Sequence, residues 1–289
     1  MDVLVTHRNQ GPTVRDSIRD LLRYKAPDDR IIVVDANSSD GSLDTLERLS
    51  VNEGIVLKHV PGASRGRGRQ SAFEAGDNDI VAAHIDMDAS YSAGLFEAAE
   101  YYRELRRTHD PGLVLFHGGM IADRSVVADA GGWRDLDVHE DKDLWVRADA
   151  DAPVYRLPVS VVDAHHNFEW DSWRYRQRRR YQNYRDALRL GVGYRTLVRS
   201  LRHHLPSPAR YRDRTLLALA AQRATAGDLG GFEPGDFNPE THFLRELRFE
   251  ALVAAGLLSP TVLDVPDRLA DYARDDGYPA RTSYDELVD

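Results

Sequence analysis

Cysteine is absent from the 289 residues, which removes disulfides, thiolate metal sites and a cysteine nucleophile together. Any metal must then be held by oxygen or imidazole. Lysine is scarce as well, 3 against 35 Arg, so guanidinium groups carry nearly all the positive charge. No apolar run is long. The longest nearly uninterrupted one, 251–258, has eight residues, whereas a bilayer-spanning helix needs about 18 or more. Asp2 leads straight into an apolar run without the basic flank and cleavage site of a secretory signal, so a cytoplasmic chain starting at Met1 is expected. Basic residues are in deficit overall: 38 Lys plus Arg face 47 Asp plus Glu, a formal charge of −9. Generic nucleic-acid binding needs a continuous basic face, so no nucleic-acid partner is expected.

The 42% hydrophobic content is enough for a core, and the length suits two domains or one with a large appendage. Val3-Leu4-Val5 reads as a strand, followed by a helix through Val14, Ile18, Leu21 and Leu22 with Thr13 and Asp16 as a capping pair. The alternation continues with strands at 31–34, 55–57 and 80–82. Helices are expected after Asp40 as cap, at 70–75 and at 95–107. Strands apolar on both faces, alternating with helices, predict a parallel sheet covered on both sides. Shorter signals follow: strands at 113–116 and 159–162, a Gly118-Gly119 break and a helix at 125–130. Beyond about 170 no strand is expected, only helices at 172–204, 210–226, 239–258 and 264–274, punctuated by residues such as Pro206, Pro208 and Pro234. The fold class is therefore α/β, with residues 1–170 as the sheet domain and 171–289 as a helical extension.

In such sheets ligands bind outside the carboxyl ends of the strands, and polar groups gather there. Asp35 ends an apolar strand and needs hydrogen-bond donors, which a nucleobase edge could supply. Asn37, Ser38 and Asp40 either join it or simply form a turn and a helix cap. Asp86 and Asp88 follow the fourth strand, and two residues apart on a strand their carboxylates converge. At about 4 Å such a pair repels by about 4 kcal/mol at an effective dielectric near 20, which a hard divalent cation relieves. That ion, Mg²⁺ or Mn²⁺, would be completed by water and phosphate oxygens. A second acidic cluster, Glu140, Asp141 and Asp143, either opens a helix favourably against its dipole or belongs to the same chemistry.

The order of these motifs resembles a known family. Thr6 and Asn9 after the first strand, Val33-Val34-Asp35-Ala36-Asn37-Ser38-Ser39-Asp40-Gly41-Ser42, Arg65-Gly66-Arg67-Gly68-Arg69-Gln70, Asp86-Met87-Asp88, Gly131-Gly132-Trp133 and Glu140-Asp141-Lys142-Asp143-Leu144-Trp145 look like a family 2 glycosyltransferase of the GT-A fold, over roughly residues 1–170. The resemblance implies inverting transfer of a sugar from a nucleotide-diphosphate donor, a UDP or GDP sugar, with Mn²⁺ or Mg²⁺. It implies that Asp35 contacts the base, that Thr6 and Asn9 lie near the nucleoside, and that Asp86 and Asp88 serve the ribose and the metal-bound diphosphate. Asp141 would be the general base, with Asp143 as runner-up and Glu140 in the same motif; Arg69 would bind the donor. His165 and His166 fall where the family can place a late metal-binding His, with His166 preferred. Gln10 stands where the family often has an acid. Arg65 and Arg67 either add diphosphate contacts or stay solvated, the latter preferred.

One segment lies outside that pattern. Residues 171–200 hold nine Arg, at 174, 176, 178, 179, 180, 185, 189, 195 and 199, against Asp171 and Asp186, interleaved with Trp170, Trp173, Tyr175, Tyr181 and Tyr184. This suits a phosphate-bearing acceptor such as a lipid-linked saccharide, or peripheral docking on the inner face of the cell membrane. The bland alternative pairs these Arg with the acidic sheet domain. Two other functions compete with glycosyl transfer. A sugar nucleotidyltransferase would carry a Gly-rich, basic phosphate loop after the first strand, where Thr6-His7-Arg8-Asn9-Gln10-Gly11 is a poor match. The other is a non-catalytic nucleotide-sugar-binding scaffold.

Overall fold

The computed structural model describes residues 1–110, 112–165, 172–233, 235–245 and 247–274. The expected alternation forms β1 (Asp2–His7), α1 (Val14–Tyr24), β2 (Arg30–Asp35), α2 (Ser42–Glu53), β3 (Val56–His59), α3 (Arg65–Ala75) and β4 (Ile80–Asp86). A short β5 (Ala89–Tyr91) and α4 (Gly94–Leu105) follow. Then come β6 (Leu113–His117), β7 (Gly119–Asp123), α5 (Arg124–Asp129), α6 (Glu140–Asp149), β8 (Val154–Ser160) and β9 (Val162–His165). The remaining elements are α7 (Trp173–Arg189), α8 (Tyr194–His204), α9 (Ser207–Arg223), α10 (Phe249–Ala254), β10 (Thr261–Val262) and a 3₁₀ turn at Asp267–Tyr272.

The main sheet runs β10-β8-β6-β7-β4-β1-β2-β3, and β5 pairs with β9 in a separate ribbon. β1 lies parallel between β2 and β4. Successive side chains of each strand enter opposite layers. Leu4, Ile32 and Val34 pack with α3, α6 and the helices after residue 172, whereas Val3, Val5, Ile31 and Val33 pack with α1, α2 and α4. The first of these two cores contains residues from both the sheet region and the C-terminal helices, for example Leu4, Trp145, Leu188 and Leu217.

Several expectations need correction. The strands of the first 110 residues that were read as parallel, β1 to β4, do pair parallel, but the whole sheet is mixed, because β7 pairs antiparallel with both β4 and β6. Only a Gly break is visible there in the sequence; Gly118, at φ 91°, forms the tight reversal, and a Cβ on it would come within 2.3 Å of Val162. A strand does occur after residue 170: β10 pairs with Tyr155 and Arg156 of β8, but two exposed residues carry no periodicity to read. The stretch 172–204 is two helices. Gly191 breaks it at φ 101° with its α-carbon packed against the Phe232 carbonyl, where a Cβ would lie 2.1 Å away. Among the described residues of 239–258 only Phe249–Ala254 is α-helical. Thr13 does not cap α1; its hydroxyl donates to the Met87 carbonyl at 2.6 Å and ties α1 to the turn after β4. Asp40 meets its expectation, accepting the Ser42 N–H at the entrance to α2 and the Gly11 N–H across the cleft edge.

Candidate functional site

Among the described residues three other than glycine have positive φ: Asn9 after β1, Asn37 after β2 and His84 near the end of β4. Such conformations cost free energy and collect where the surrounding structure imposes them for function. Here they sit at or near the carboxyl ends of three adjacent strands, the place where open α/β sheets bind ligands.

The loops after β1 and β2 hold each other. Asn9 Oδ1 accepts the Ser39 N–H at 2.8 Å, and Ser38 Oγ accepts the Asn9 N–H at 3.0 Å. Asp35 is completely buried, and its oxygens accept the N–H groups of Asn37 and Ser38 at 2.9 and 3.1 Å together with the Ser38 hydroxyl. The donors that Asp35 requires thus come from its own turn. Its neighbours Val34 and Ala36 line the cleft beside it.

At the end of β4 the Tyr91 hydroxyl accepts the Asp86 N–H and donates to the Asp86 carbonyl, fixing the backbone from which the carboxylate projects. Thr6 Oγ1 approaches Asp86 Oδ1 at 3.5 Å. The strand ends at Asp86, so Asp88 is presented by a turn and not by strand alternation; Ser17 Oγ reinforces that turn by donating to the Met87 and Ala89 carbonyls. Asp86 and Asp88 still both line the cleft.

Behind them Arg69, 3% exposed, joins two of the acidic motifs. Its guanidinium donates to Glu140 and lies 3.6 Å from Asp86. Arg69 does not reach the cleft wall, whereas Arg65, one turn earlier on α3, does. Burial disfavours the Arg65 charge, but Asp86, Glu140 and Asp88 outweigh it and raise its pKa. Arg65 is half-buried on the cleft wall and so departs from the solvated reading, while Arg67 is exposed.

The three acids of α6 separate in the same way. Glu140 is buried against Arg69. Asp143 is buried between Arg134 at 3.3 Å and Arg147 at 2.7 Å, which leaves no approach to a substrate. Asp141 alone keeps an exposed side chain, at 18%, and pairs with Lys142 Nζ at 2.7 Å. Burial works against its charge, but Lys142 and Arg69 hold its carboxyl well below the usual carboxylate range. Trp133 Nε1 lies 3.4 Å from His84 Nε2 and donates to it; burial, then Arg69, push the His84 pKa well down, so the imidazole is neutral.

A cleft of about 270 Å³ opens at these strand ends; Asp86 and Asp88 line it, whereas Asp35, Arg69, Glu140, Asp141 and Asp143 do not. Thr6 and Asn9 line it, as expected. Arg65, Tyr175, Arg178 and Arg179, which the sequence offered as possible phosphate contacts, also line it, together with Arg8 and Gln182, which no motif marked. A signal was available for Tyr175, Arg178, Arg179 and Gln182: spacing i, i+3, i+4, i+7 puts them on one face of α7. His165 ends β9, where its backbone pairs with Ala89, and His166 lies outside the described residues. No helix among the described residues is long and apolar enough to cross a membrane.

Residues 2–106 match the model of glycosyl transferase family 2. Among curated proteins none matches the chain. Among solved structures, S. aureus TarS 1–349 is similar at 14% identity and a TM-score of 0.52, over 78% of this chain and 72% of that one. The mannosyltransferase PcManGT from Pyrobaculum calidifontis, in complex with GDP-Man and Mn²⁺, is similar at 18% identity and a TM-score of 0.51, over 76% of this chain and 72% of that one. Likeness at such identities is likeness of fold. The chain therefore has the GT-A glycosyltransferase fold, with the family 2 pattern carried by residues 2–106.

Proposed function

We propose that the protein is an inverting glycosyltransferase that moves a sugar from a UDP or GDP sugar to an acceptor hydroxyl. The observation that carries this reading is the cleft at the strand ends, which combines Asp86 and Asp88 with a basic wall. Thr6 and Asn9 would lie against the nucleoside. Asp35 would shape the loop that receives the base, because its oxygens already hold that loop. Arg8 and Arg65 would face the diphosphate, and Arg69 would act through Asp86 and Glu140.

Asp86 and Asp88 suit a hard divalent cation such as Mn²⁺ or Mg²⁺. Such ions are commonly held by one or two carboxylates, with substrate phosphate and water completing the shell. Among the described residues no group of three or more His, Asp or Glu is placed to hold an ion without such completion. When bound, the ion would supply charge neutralisation on the departing diphosphate. His165 or His166 would add an imidazole ligand.

In the transfer, the acceptor hydroxyl oxygen attacks the anomeric carbon from the face opposite the diphosphate. The bond from that carbon to the β-phosphate oxygen breaks, its electron pair stays on the nucleoside diphosphate, and the hydroxyl proton passes to Asp141. Asp141 is ionised at neutral pH, as a proton acceptor must be, but its lowered pKa makes it a weak base, so proton transfer has to follow the attack closely and not precede it. Glu140 and Asp143 serve as ion-pair partners that fix the start of α6.

Peripheral contact with an anionic membrane is a second part of the proposal. It is supported by the basic residues of α7 and α8 and by Trp173 and Tyr211, which are 65% and 70% exposed. Hydrolysis of a panel of nucleotide sugars, with and without Mn²⁺, tests the main reading. Release of UDP or GDP supports it. Binding without turnover favours the scaffold, and synthesis of a nucleotide sugar from a sugar phosphate and a nucleoside triphosphate favours the nucleotidyltransferase.

A further inference from the structure

The cleft has two basic walls. Arg8 and Arg65 rise from the sheet side, on the loop after β1 and at the start of α3, while Arg178 and Arg179 come from α7 on the other. Against these four guanidinium groups the cleft sets, among the described residues, three carboxylates, Asp86, Asp88 and Asp137. Asp137 is matched from elsewhere by Arg185 at 2.9 Å. A divalent cation would balance Asp86 and Asp88, and Arg8 with Arg65 would balance the two charges of a nucleotide-sugar diphosphate. Arg178 and Arg179 are then in excess. Arg178 is exposed and, among the described residues, has no carboxylate partner; Arg179 donates one N–H to the Asp137 carbonyl at 3.4 Å and keeps other donors. Neighbouring guanidinium groups without matching acids favour an anionic ligand, and a planar fork of donors suits phosphate oxygens.

We propose that Arg178 and Arg179 bind a phosphate group on the acceptor, so that the enzyme glycosylates a phosphate-bearing saccharide. This rests on the glycosyltransferase reading. The same phosphate chemistry occurs in a soluble sugar phosphate and in a polyprenyl-diphosphate-linked sugar. Placing the acceptor's anion on α7 sets the acceptor opposite the sheet-side donor, with the reacting hydroxyl between them.

The test offers each of several saccharides to the full-length chain in three forms: the free sugar, the sugar 1-phosphate, and the polyprenyl-diphosphate-linked sugar in detergent. The donor is whichever nucleotide sugar the wild type hydrolyses. Phosphate-bearing forms are expected to be preferred, and their ratio distinguishes the soluble from the lipid source. In R178Q/R179Q the acceptor KM for those forms is expected to rise about 10- to 100-fold, the range lost with a charged hydrogen bond. Donor affinity, read by thermal shift with UDP or GDP and Mn²⁺, is expected to hold, and R178K/R179K to recover part of the loss. Two results overturn the inference alone: no preference for phosphorylated acceptors, or a double variant that loses donor affinity as much as transfer. A wild-type chain that neither binds nor hydrolyses any nucleotide sugar overturns the transferase reading and this inference with it. A melting temperature unchanged from wild type assigns the KM effect to binding and not to folding.

Discussion

Replacing Arg69 by Met removes the cation that holds two acidic motifs together. Arg69 is 3% exposed and Glu140 2%, so the variant leaves a carboxylate in the interior without its partner. Glu140 Oε2 already lacks a hydrogen-bond partner, so no existing contact takes over. Breaking a buried pair in this way costs about 3–5 kcal/mol, a large share of the roughly 5–15 kcal/mol that stabilises a native domain. At about 2–4 °C per kcal/mol for a chain of this size, the melting temperature should fall by roughly 10 °C. Removing both charges, as Arg69→Met with Glu140→Leu, avoids that penalty, because well-packed apolar pairs often replace buried ion pairs at little cost. The double variant should therefore recover to within about 1 kcal/mol of wild type. Urea unfolding of the four proteins measures the cycle. A loss below about 1 kcal/mol in the single variant, or a double variant no better than the single, would refute the bracing role.

Asp88→Asn should keep the fold and abolish Mn²⁺-dependent nucleotide binding in a thermal-shift titration; retained binding removes Asp88 from the metal site. Asp141→Asn should slow transfer about a hundredfold or more with little change in donor affinity, and near-normal transfer would deny it the base role. Burial holds the His139 pKa down to about 3 from 6.5, so between those values the unfolded chain binds the extra proton. Unfolding free energy should consequently fall as pH drops from about 6.5 towards 3, and His139→Phe should flatten that slope in urea titrations at pH 7 and pH 5. Co-sedimentation with anionic vesicles should fall steeply with salt, and no binding at low salt would reject the membrane contact.

The inner strands were legible because they are buried on both faces: Val3 to Val5 and Ile31 to Val34 are apolar without interruption. β7 and β10 were not, for different reasons. Met120, Ile121 and Ala122 are as buried as any strand residues, but the hairpin at Gly118 is too tight to separate two signals. Thr261 and Val262 are exposed, and two residues show no period. The helical extension was legible as helix yet not in its breaks, because Gly191 turns the chain through a contact with Phe232, forty-one residues away in sequence.

At the site, motif spacing identified which residues gather, while burial decides what each is able to do. Asp141 and Asp143 are both acids near the start of one helix and are indistinguishable by type. They differ because Arg147, four residues on, lies within reach of Asp143, whereas Asp141 takes the adjacent Lys142 and stays partly exposed. The same logic separates Arg65 from Arg69. Four residues apart on α3, they project on one side, but the deeper one meets Glu140 before it can meet solvent, and the shallower one is left to face the cleft. Which member of a repeated charged motif is tied up is thus set by its ion-pair partners, Glu140 from a distant segment for α3, and Arg147 and Arg134 from nearby in the chain for α6. Glu140 becomes a neighbour of α3 only when the C-terminal part of the sheet region packs across that helix, so local sequence settles the division of labour within α6 and the tertiary fold settles it within α3.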